Sequence, residues 1–284
     1  MSRQAMANMP RRIAFQGEKG AFSHAAAHAV FPDDDAVPCL TFEDTITAVQ
    51  TEDADYGVVP VENTLYGRIT DIHHLLPESG LYIVGEYYLR IEMNLLGLKG
   101  ARLEDIKTVQ SLSVALGQCR KFIQEHKLRT VNAIDTAGSA KEVAERGDKS
   151  VGAIASRFAG ELYGLDVLAE NIEDASHNTT RFLIVSKRRE EAARNGQKVK
   201  TTFVFRVRNV PAALYKALGG FATNNVNMTK LESYMLGGSF TATQFYADIE
   251  GHPEDHNVRL ALEELGFFTD HLRILGVYPA AEKA

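Results

Sequence analysis

The sequence of 284 residues contains no tryptophan, only two cysteines and no long hydrophobic run. Two cysteines, Cys39 and Cys119, are too few for a disulfide framework or a thiolate metal cluster. No stretch approaches the ~18 apolar residues that cross a membrane, and residues 1–12 lack the apolar core of a secretory signal. These absences predict a cytoplasmic protein with no membrane partner.

Charged residues are frequent, and both signs are well represented, with 31 Lys and Arg against 37 Asp and Glu. The formal net charge of -6 disfavours nucleic acid or an anionic membrane as the main partner. An anionic ligand must therefore be attracted by a few local positive groups. His24 and His28 are four residues apart, but no carboxylate completes a His-Glu-x-x-His arrangement, so we predict no metal.

The first two thirds of the chain alternates short apolar runs with amphipathic helical patterns, which is typical of an α/β domain. Thr41 and Asp44 have the spacing of a helix-capping box. The patterns predict strands at 12–15, 56–61, 81–91, 108–109, 131–134, 151–155 and 167–169. They predict helices beginning at 22 and near 41, and at 113–126, 137–145 and 156–163.

A charged segment, residues 187–198, has no apolar face and is expected to be a linker. Its interleaved Glu190 and Glu191 favour a solvated connection over a nucleic-acid site. Beyond it we predict, in order, strand 202–207, helix 211–221, strands 226–235 and 240–249 around Gly237-Gly238, helix 254–265 and strand 271–277. This βαββαβ order is the ferredoxin-like pattern.

The most informative segment is His177-Asn178-Thr179-Thr180-Arg181-Phe182, which leads into an apolar strand. Two hydroxyls and a guanidinium at a strand entrance suit a ligand with a carboxylate, because the planar fork holds a carboxylate bidentately. An ordinary polar strand entrance explains the same residues. This motif alone does not decide between a carboxylate-binding site and an ordinary polar strand entrance.

Three further segments carry polar groups at element ends. The glycine turn Gly17–Ser23 opens a helix, where backbone N–H groups receive an anion or simply form a turn. Residues 59–67 are polar directly after a buried strand. Ser111 ends another strand, and Gln118 lies two turns into the following helix.

Taken together, these segments resemble the prephenate dehydratases, followed by an ACT regulatory domain. The resemblance covers about residues 12–279. The motifs that carry it are Asn178-Thr179-Thr180-Arg181-Phe182, Gly57-Val58-Val59-Pro60-Val61-Glu62-Asn63 with Gly67, Ala155-Ser156 through Leu165, and Leu168 through Asp174.

The resemblance implies that prephenate loses carbon dioxide and water to give phenylpyruvate, without a cofactor. It implies a catalytic domain at 12–187 with two lobes like a type II periplasmic binding protein. Lobe 1 comprises about 12–88 and 172–187, and lobe 2 about 89–171. A linker at 188–200 and an ACT domain at 201–279 complete the expected organisation.

Site residues follow by matching motif positions. Thr180 corresponds to the residue assigned to the departing hydroxyl, and we interpret it as a hydrogen-bond donor to developing charge. Glu62 is either catalytic or holds Asn63 and its loop, and Arg181 either binds a carboxylate or forms a structural ion pair. The catalytic set is Thr180, Asn63, Ser111, Gln118 and Glu62, and the substrate-binding set is Arg181, Phe182, Thr179, Gly20, Ala21, Phe22 and Ser23.

The ACT resemblance implies L-phenylalanine as an allosteric inhibitor and a homodimer or homotetramer formed through ACT domains. The expected effector residues are Asn209, Pro211, Ala212, Ala213, Leu214, Glu232 and Ser233.

The chain departs from the family pattern at several positions. Leu112 stands where the family commonly has His, so no imidazole acts there. Ala212 stands where Gly is usual, and Tyr234-Met235 replaces an Arg-Pro pair. Two alternatives stay open: a dehydratase that prefers arogenate, and a non-catalytic amino-acid sensor with the same two-lobed fold.

Overall fold

The computed structural model describes residues 10–208, 210–235 and 242–282, of which 242 and 243 are described by their backbone alone. Two compact units are distinguished, one of residues 10–69 and 87–182 and the other of residues 70–86 and 183–282. Two strands, β5 (Tyr82–Arg90) and β11 (Thr179–Ser186), each contribute residues to both units. The chain therefore passes between the units within continuous strands.

The first unit begins with a parallel sheet in which β1 (Arg12–Gln16) pairs with β2 (Asp35–Cys39) and with β3 (Tyr56–Asn63). The short β4 (Gly67–Arg68) returns antiparallel to β3. Helices α1 (Phe22–Val30) and α2 (Phe42–Gln50) connect the parallel strands. The predicted capping box is present at α2, since Thr41 and Asp44 exchange side-chain-to-backbone hydrogen bonds.

A second sheet of the first unit has the order β10-β6-β9-β7-β8. Its strands are β6 (Asn94–Gly97), β7 (Thr108–Leu112), β8 (Arg129–Ala133), β9 (Val151–Ala155) and β10 (Asp166–Ala169). Strands β7, β8 and β9 are parallel, whereas β6 is antiparallel to both of its neighbours. Two α/β sheets in the first unit agree with the expected two-lobed catalytic part.

Helical segments of this second sheet are α4 (Ser113–Gln118), α5 (Arg120–Glu125), α6 (Thr136–Arg146) and α7 (Arg157–Tyr163). The prediction of one continuous helix over 113–126 is wrong, because the backbone leaves helical geometry at Cys119. The backbone N–H of Asp174 binds the carbonyl of Gln118, and the Asp174 carboxylate accepts from the N–H of Lys121. Asp174 thus forms hydrogen bonds on both sides of the helix break at Cys119.

The second unit contains β12 (Val199–Val207), α8 (Ala213–Thr223), β13 (Met228–Met235), β14 (Ala242–Glu250), α9 (His256–Phe268) and β15 (Thr269–Pro279). The order of these strands is β13-β14-β12-β15, all antiparallel, which confirms the predicted βαββαβ fold. Their apolar core includes Phe203, Phe205, Phe221 and Phe245. The predicted turn at Gly237-Gly238 lies outside the described residues.

Residues 70–86 belong to this second unit as α3 (Thr70–Glu78) and the first part of β5. Ile83 of β5 pairs with Gly276 of β15, where an added Cβ would collide with the Ile83 carbonyl oxygen. Lys200 lies on β12, the strand that pairs with β15, and its Nζ is 2.7 Å from both carboxylate oxygens of Glu86 on β5. Both residues are buried, so this ion pair lies in the interior of the protein.

Candidate active site

Asn63, the last residue of β3, uses every part of its amide. Its Oδ1 accepts from the backbone N–H of Leu65 at 2.9 Å and of Tyr66 at 3.1 Å. Its Nδ2 donates to Asn178 Oδ1 at 2.7 Å and to Thr180 Oγ1 at 2.9 Å. Because two backbone donors fix the oxygen, the direction of both Nδ2 hydrogen bonds is fixed as well. Asn63 therefore positions Thr180 and leaves no amide hydrogen for a ligand.

Thr180 lies near the beginning of β11 and is 8% exposed. Its oxygen accepts the Asn63 hydrogen bond, and among the described residues its own hydroxyl hydrogen has no acceptor. A hydroxyl donates one hydrogen and accepts two. The Thr180 hydroxyl can therefore donate its hydrogen to a bound ligand.

Arg181 forms an ion pair with Glu62, with Nη1 2.8 Å from Oε1. The guanidinium side chain is 3% exposed, whereas the Glu62 side chain is 33% exposed. This contact is the ion pair that was one of the two roles expected for Arg181. A catalytic role of Glu62 stays a prediction. Direct contact of Arg181 with a ligand carboxylate stays a prediction.

The neighbouring residues of the motif support the fold. Phe182 is fully buried and packs with Ile13 and Val58, and its contact with substrate stays a prediction. Thr179 binds the loop after β3 through its backbone: its N–H donates to Thr64 Oγ1, and its carbonyl accepts from Thr64 N–H. Contact between the Thr179 side chain and substrate stays a prediction.

Ser111 and Gln118 lie on the second sheet and the helix that follows it. Ser111 is fully buried, and its hydroxyl donates to the carbonyl of Ile154 at 2.6 Å, across β7 and β9. Gln118 ends α4, and its buried Oε1 has no hydrogen-bond partner in the part of the chain that the structure describes. Of these two, Gln118 has the unused capacity for a ligand.

The glycine turn before α1 is held by side chains of two elements. Gly20 has a φ of +93°, and its N–H donates to His24 Nδ1 at 2.9 Å. Its carbonyl accepts from Ser156 Oγ, and the carbonyl of Lys19 accepts from Tyr163 OH. The N–H of Ala21 binds the Glu18 carbonyl, so anion binding at this turn depends on the first helical residues, Phe22 and Ser23.

His24 supports this turn in its neutral form. Burial, together with the nearby charges of His28 and Lys19, lowers the pKa of His24 to about 4. The ring stacks on Phe15, with centroids 4.8 Å apart. The ring is therefore neutral at neutral pH, and the hydrogen bond from Gly20 N–H assigns its remaining proton to Nε2.

Asn178 is the member of this site that the sequence analysis did not single out. It is two residues before Thr180, and alternate residues of an extended chain face the same side. That period-2 relation is the signal by which Asn178 is recognisable beside Thr180. Its side chain is fully buried and bonded to Asn63.

The expected effector residues lie on the second unit, except Asn209, which lies outside the described residues. Pro211 precedes helix α8, and Ala212 caps it with a φ of +61°. Ala213 and Leu214 begin the helix and pack against the apolar core. On β13, Glu232 forms an ion pair with Lys230, and Ser233 is exposed.

The described residues contain neither a candidate membrane span nor a candidate metal cluster. No described helix combines the length and apolar character that crossing a membrane requires. Within the same residues, no three or more His, Cys, Asp or Glu side chains form a group that holds a metal ion.

Comparison with known proteins identifies a family and several close relatives. A family model described as prephenate dehydratase matches residues 13–190. A bifunctional N-acyl-homoserine lactone acylase/prephenate dehydratase of Komagataeibacter europaeus is 51% identical, covering 96% of this chain and 98% of that protein. An arogenate dehydratase/prephenate dehydratase of Arabidopsis thaliana is 39% identical, covering 94% and 72%.

A solved structure extends the likeness to three dimensions. The prephenate dehydratase of Arthrobacter aurescens in complex with L-Phe is 31% identical, with a TM-score of 0.86. The match covers 96% of this chain and 91% of that one.

Proposed function

Because this chain belongs to the prephenate dehydratase family, we propose that it converts prephenate into phenylpyruvate, carbon dioxide and water. The observation that carries this proposal is the hydrogen bond from Asn63 to Thr180, which leaves the Thr180 hydroxyl as a donor. A buried donor held in a fixed direction suits an oxygen that gains negative charge as it departs.

In the proposed reaction, the bond from the ring to its carboxylate breaks, and its electron pair enters the ring. The carbon–oxygen bond of the ring hydroxyl breaks with its electrons on oxygen, and the ring becomes aromatic. Thr180 donates a hydrogen bond to the departing oxygen, which leaves as water after taking up one proton, drawn ultimately from solvent. The balance is one prephenate and one proton in, and one phenylpyruvate, carbon dioxide and water out.

Substrate carboxylates need positive groups or backbone donors near Thr180. In this proposal, N–H groups of the first turn of α1, at Phe22 and Ser23, take one carboxylate, aided by the helix dipole. Gln118, at the end of α4, has a buried Oε1 that accepts a hydrogen bond, so it suits a hydroxyl of the substrate rather than a carboxylate. Arg181 acts through Glu62, whose orientation it fixes.

The test is formation of phenylpyruvate from prephenate by the purified chain, with arogenate in a parallel assay. Turnover of prephenate supports the proposal, and faster turnover of arogenate would replace it with the arogenate-preferring alternative. The Arabidopsis relative carries both activities in its name. Turnover of neither substrate would leave a non-catalytic sensor.

We extend the proposal to regulation by L-phenylalanine at an ACT domain of residues 201–279, following a catalytic domain at 12–187 and a linker at 188–200. The Arthrobacter relative was solved in complex with L-Phe. Replacing Glu232 by Ala is expected to weaken inhibition by phenylalanine and to leave basal turnover within about twofold. The matched control is Glu263→Ala, an exposed member of an ion pair on α9. Equal inhibition of both variants would remove Glu232 from the effector site.

Assembly into a homodimer or homotetramer is part of the same proposal. Strand β13 is an edge of the four antiparallel strands of the second unit and exposes Leu231 and Met235. Val210 and Tyr215, beside the expected effector loop, are also exposed. An edge strand with apolar side chains favours pairing with a second copy. Light scattering with and without phenylalanine measures the assembly.

A second candidate activity is hydrolysis of N-acyl-homoserine lactones. The observation that favours it is the 51% identity to the Komagataeibacter relative over nearly the whole of both chains. Release of fatty acid from such a lactone would support this activity. Absence of release by enzyme that turns over prephenate would exclude it.

A further inference from the structure

The amide of Asn178 holds an unused hydrogen-bond donor inside the site. Its side chain is fully buried, and Oδ1 accepts from Asn63 Nδ2. Throughout the described ranges, Nδ2 of Asn178 finds no hydrogen-bond partner. Burying a donor without an acceptor costs about 1–3 kcal/mol, so such groups call for an explanation.

An exchange of the Asn178 oxygen and nitrogen would not remove this feature. Asn63 Oδ1 receives two backbone N–H groups, so only its nitrogen is available to face Asn178. The Asn178 atom that meets this nitrogen must be an acceptor, which makes it the oxygen. The other atom of the amide is therefore the nitrogen.

Asn178 and Thr180 bind the same nitrogen of Asn63, at 2.7 Å and 2.9 Å. Two acceptors on one amide nitrogen lie about 5 Å apart, because its two hydrogens diverge by about 120°. Each side chain accepts a hydrogen bond from Asn63 and keeps donor hydrogens unassigned, one on Thr180 Oγ1 and two on Asn178 Nδ2. The Asn63 amide thus prepares two neighbouring donors.

We propose that Asn178 is a further catalytic residue, whose Nδ2 donates a hydrogen bond to the same departing oxygen that Thr180 faces. This inference rests on the proposed dehydratase function. Two donors that are already fixed in place bind the oxygen more strongly in the transition state, where its negative charge has grown, than in the ground state. The interaction acts on turnover more than on substrate binding.

The test replaces Asn178 by Asp, which keeps the shape and the acceptor for Asn63 but removes the second donor. We expect kcat for prephenate to fall about 100-fold at pH 7.5, with KM changed less than about threefold. Lowering the pH protonates the introduced carboxylate and restores a donor, so kcat should recover up to about tenfold for each pH unit. The wild-type kcat should show no such rise.

Asn94→Asp is the matched control, since Asn94 is buried and both of its amide atoms are bonded, Nδ2 to the Glu92 carbonyl and Oδ1 to Asn171 N–H. This variant should show no gain of kcat at low pH. If Asn178→Asp does not fold, Asn178→Ser and Asn178→Ala are compared. Serine retains a donor and should be at least ~10-fold more active than alanine.

The outcomes separate the two proposals. Suppose that the wild-type protein turns over prephenate. An Asn178→Asp variant with an unchanged kcat, with a change in KM alone, or with a pH profile parallel to that of the wild type would then overturn the role of Asn178. The dehydratase function would stand. A wild-type protein that converts neither prephenate nor arogenate would overturn both.

Discussion

Single side chains in the candidate site are distinguished by how much of their hydrogen-bonding capacity is already used. Asn63 and Ser111 direct theirs to other protein groups, whereas Thr180 retains one donor hydrogen and Asn178 retains the two of its Nδ2. Residue type and motif position do not reveal this difference. It depends on which neighbour reaches each atom, and the two acceptors of Asn63 Nδ2 are more than 100 residues away in the chain.

The first prediction concerns the Thr180 hydroxyl. Thr180→Val preserves shape but removes the donor, so kcat should fall at least ~100-fold, while Thr180→Ser should remain within about tenfold of wild type. Steady-state kinetics with prephenate measure both. Thr45→Val is the control, because Thr45 is also buried and its hydroxyl binds a helix carbonyl. Near-normal turnover by the valine variant would remove Thr180 from its role.

The second prediction concerns His24 and pH. The unfolded residue titrates near pH 6.5 and the folded one near 4, so between these values the unfolded state binds more protons. The free energy of unfolding should therefore decrease by about 2 kcal/mol as pH falls from 6.5 to 4. Urea denaturation at several pH values measures this loss. His24→Gln should lose less stability over the same range, and an equal loss would contradict the assignment.

At the scale of secondary structure, periodicity and turn residues predicted most elements. The βαββαβ order follows from two strand–helix alternations around a glycine turn, and these signals are local. Strand β2 was not predicted, because Pro38 disfavours a strand. It is tolerated because β2 lies at the end of its sheet. The break at Cys119 was missed for a different reason: Asp174, more than 50 residues away, takes hydrogen bonds there.

The third prediction concerns the beginning of α8. Ala212 has a φ of +61°, a left-handed conformation that costs about 1–2 kcal/mol for a residue with a Cβ. This geometry explains why glycine suits the position. Ala212→Gly should stabilise the protein by about 0.5–1 kcal/mol, after the greater freedom of glycine in the unfolded chain is deducted.

Thermal unfolding of two variants tests the sign of that effect. Ala222→Gly, on the exposed surface of the same helix, should destabilise by about 0.5–1 kcal/mol, because its φ is helical. A loss of stability in both variants would show that the left-handed residue is not strained.

At the scale of the whole molecule, the buried pair of Lys200 and Glu86 lies where the two parts of the second unit meet. The fourth prediction is that Lys200→Met destabilises by about 3 kcal/mol, because it leaves a buried carboxylate without its main cation. Adding Glu86→Gln should recover at least half of the loss. Chemical denaturation of both single variants and the double variant gives the coupling free energy, and additive losses would contradict the prediction.

Because β5 and β11 each contribute residues to both units, the chain cannot be cut into two independent parts at a single position. Segment 70–86 binds residues of the later part of the second unit, 183–282: Arg273 donates to the Pro77 carbonyl, Ile83 pairs with Gly276, and Glu86 forms an ion pair with Lys200. A catalytic fragment cut at the end of β11 would carry this segment without those partners. Residues 183–282 are thus not a removable attachment. Recombination that exchanges this part of the chain between relatives must exchange segment 70–86 with it.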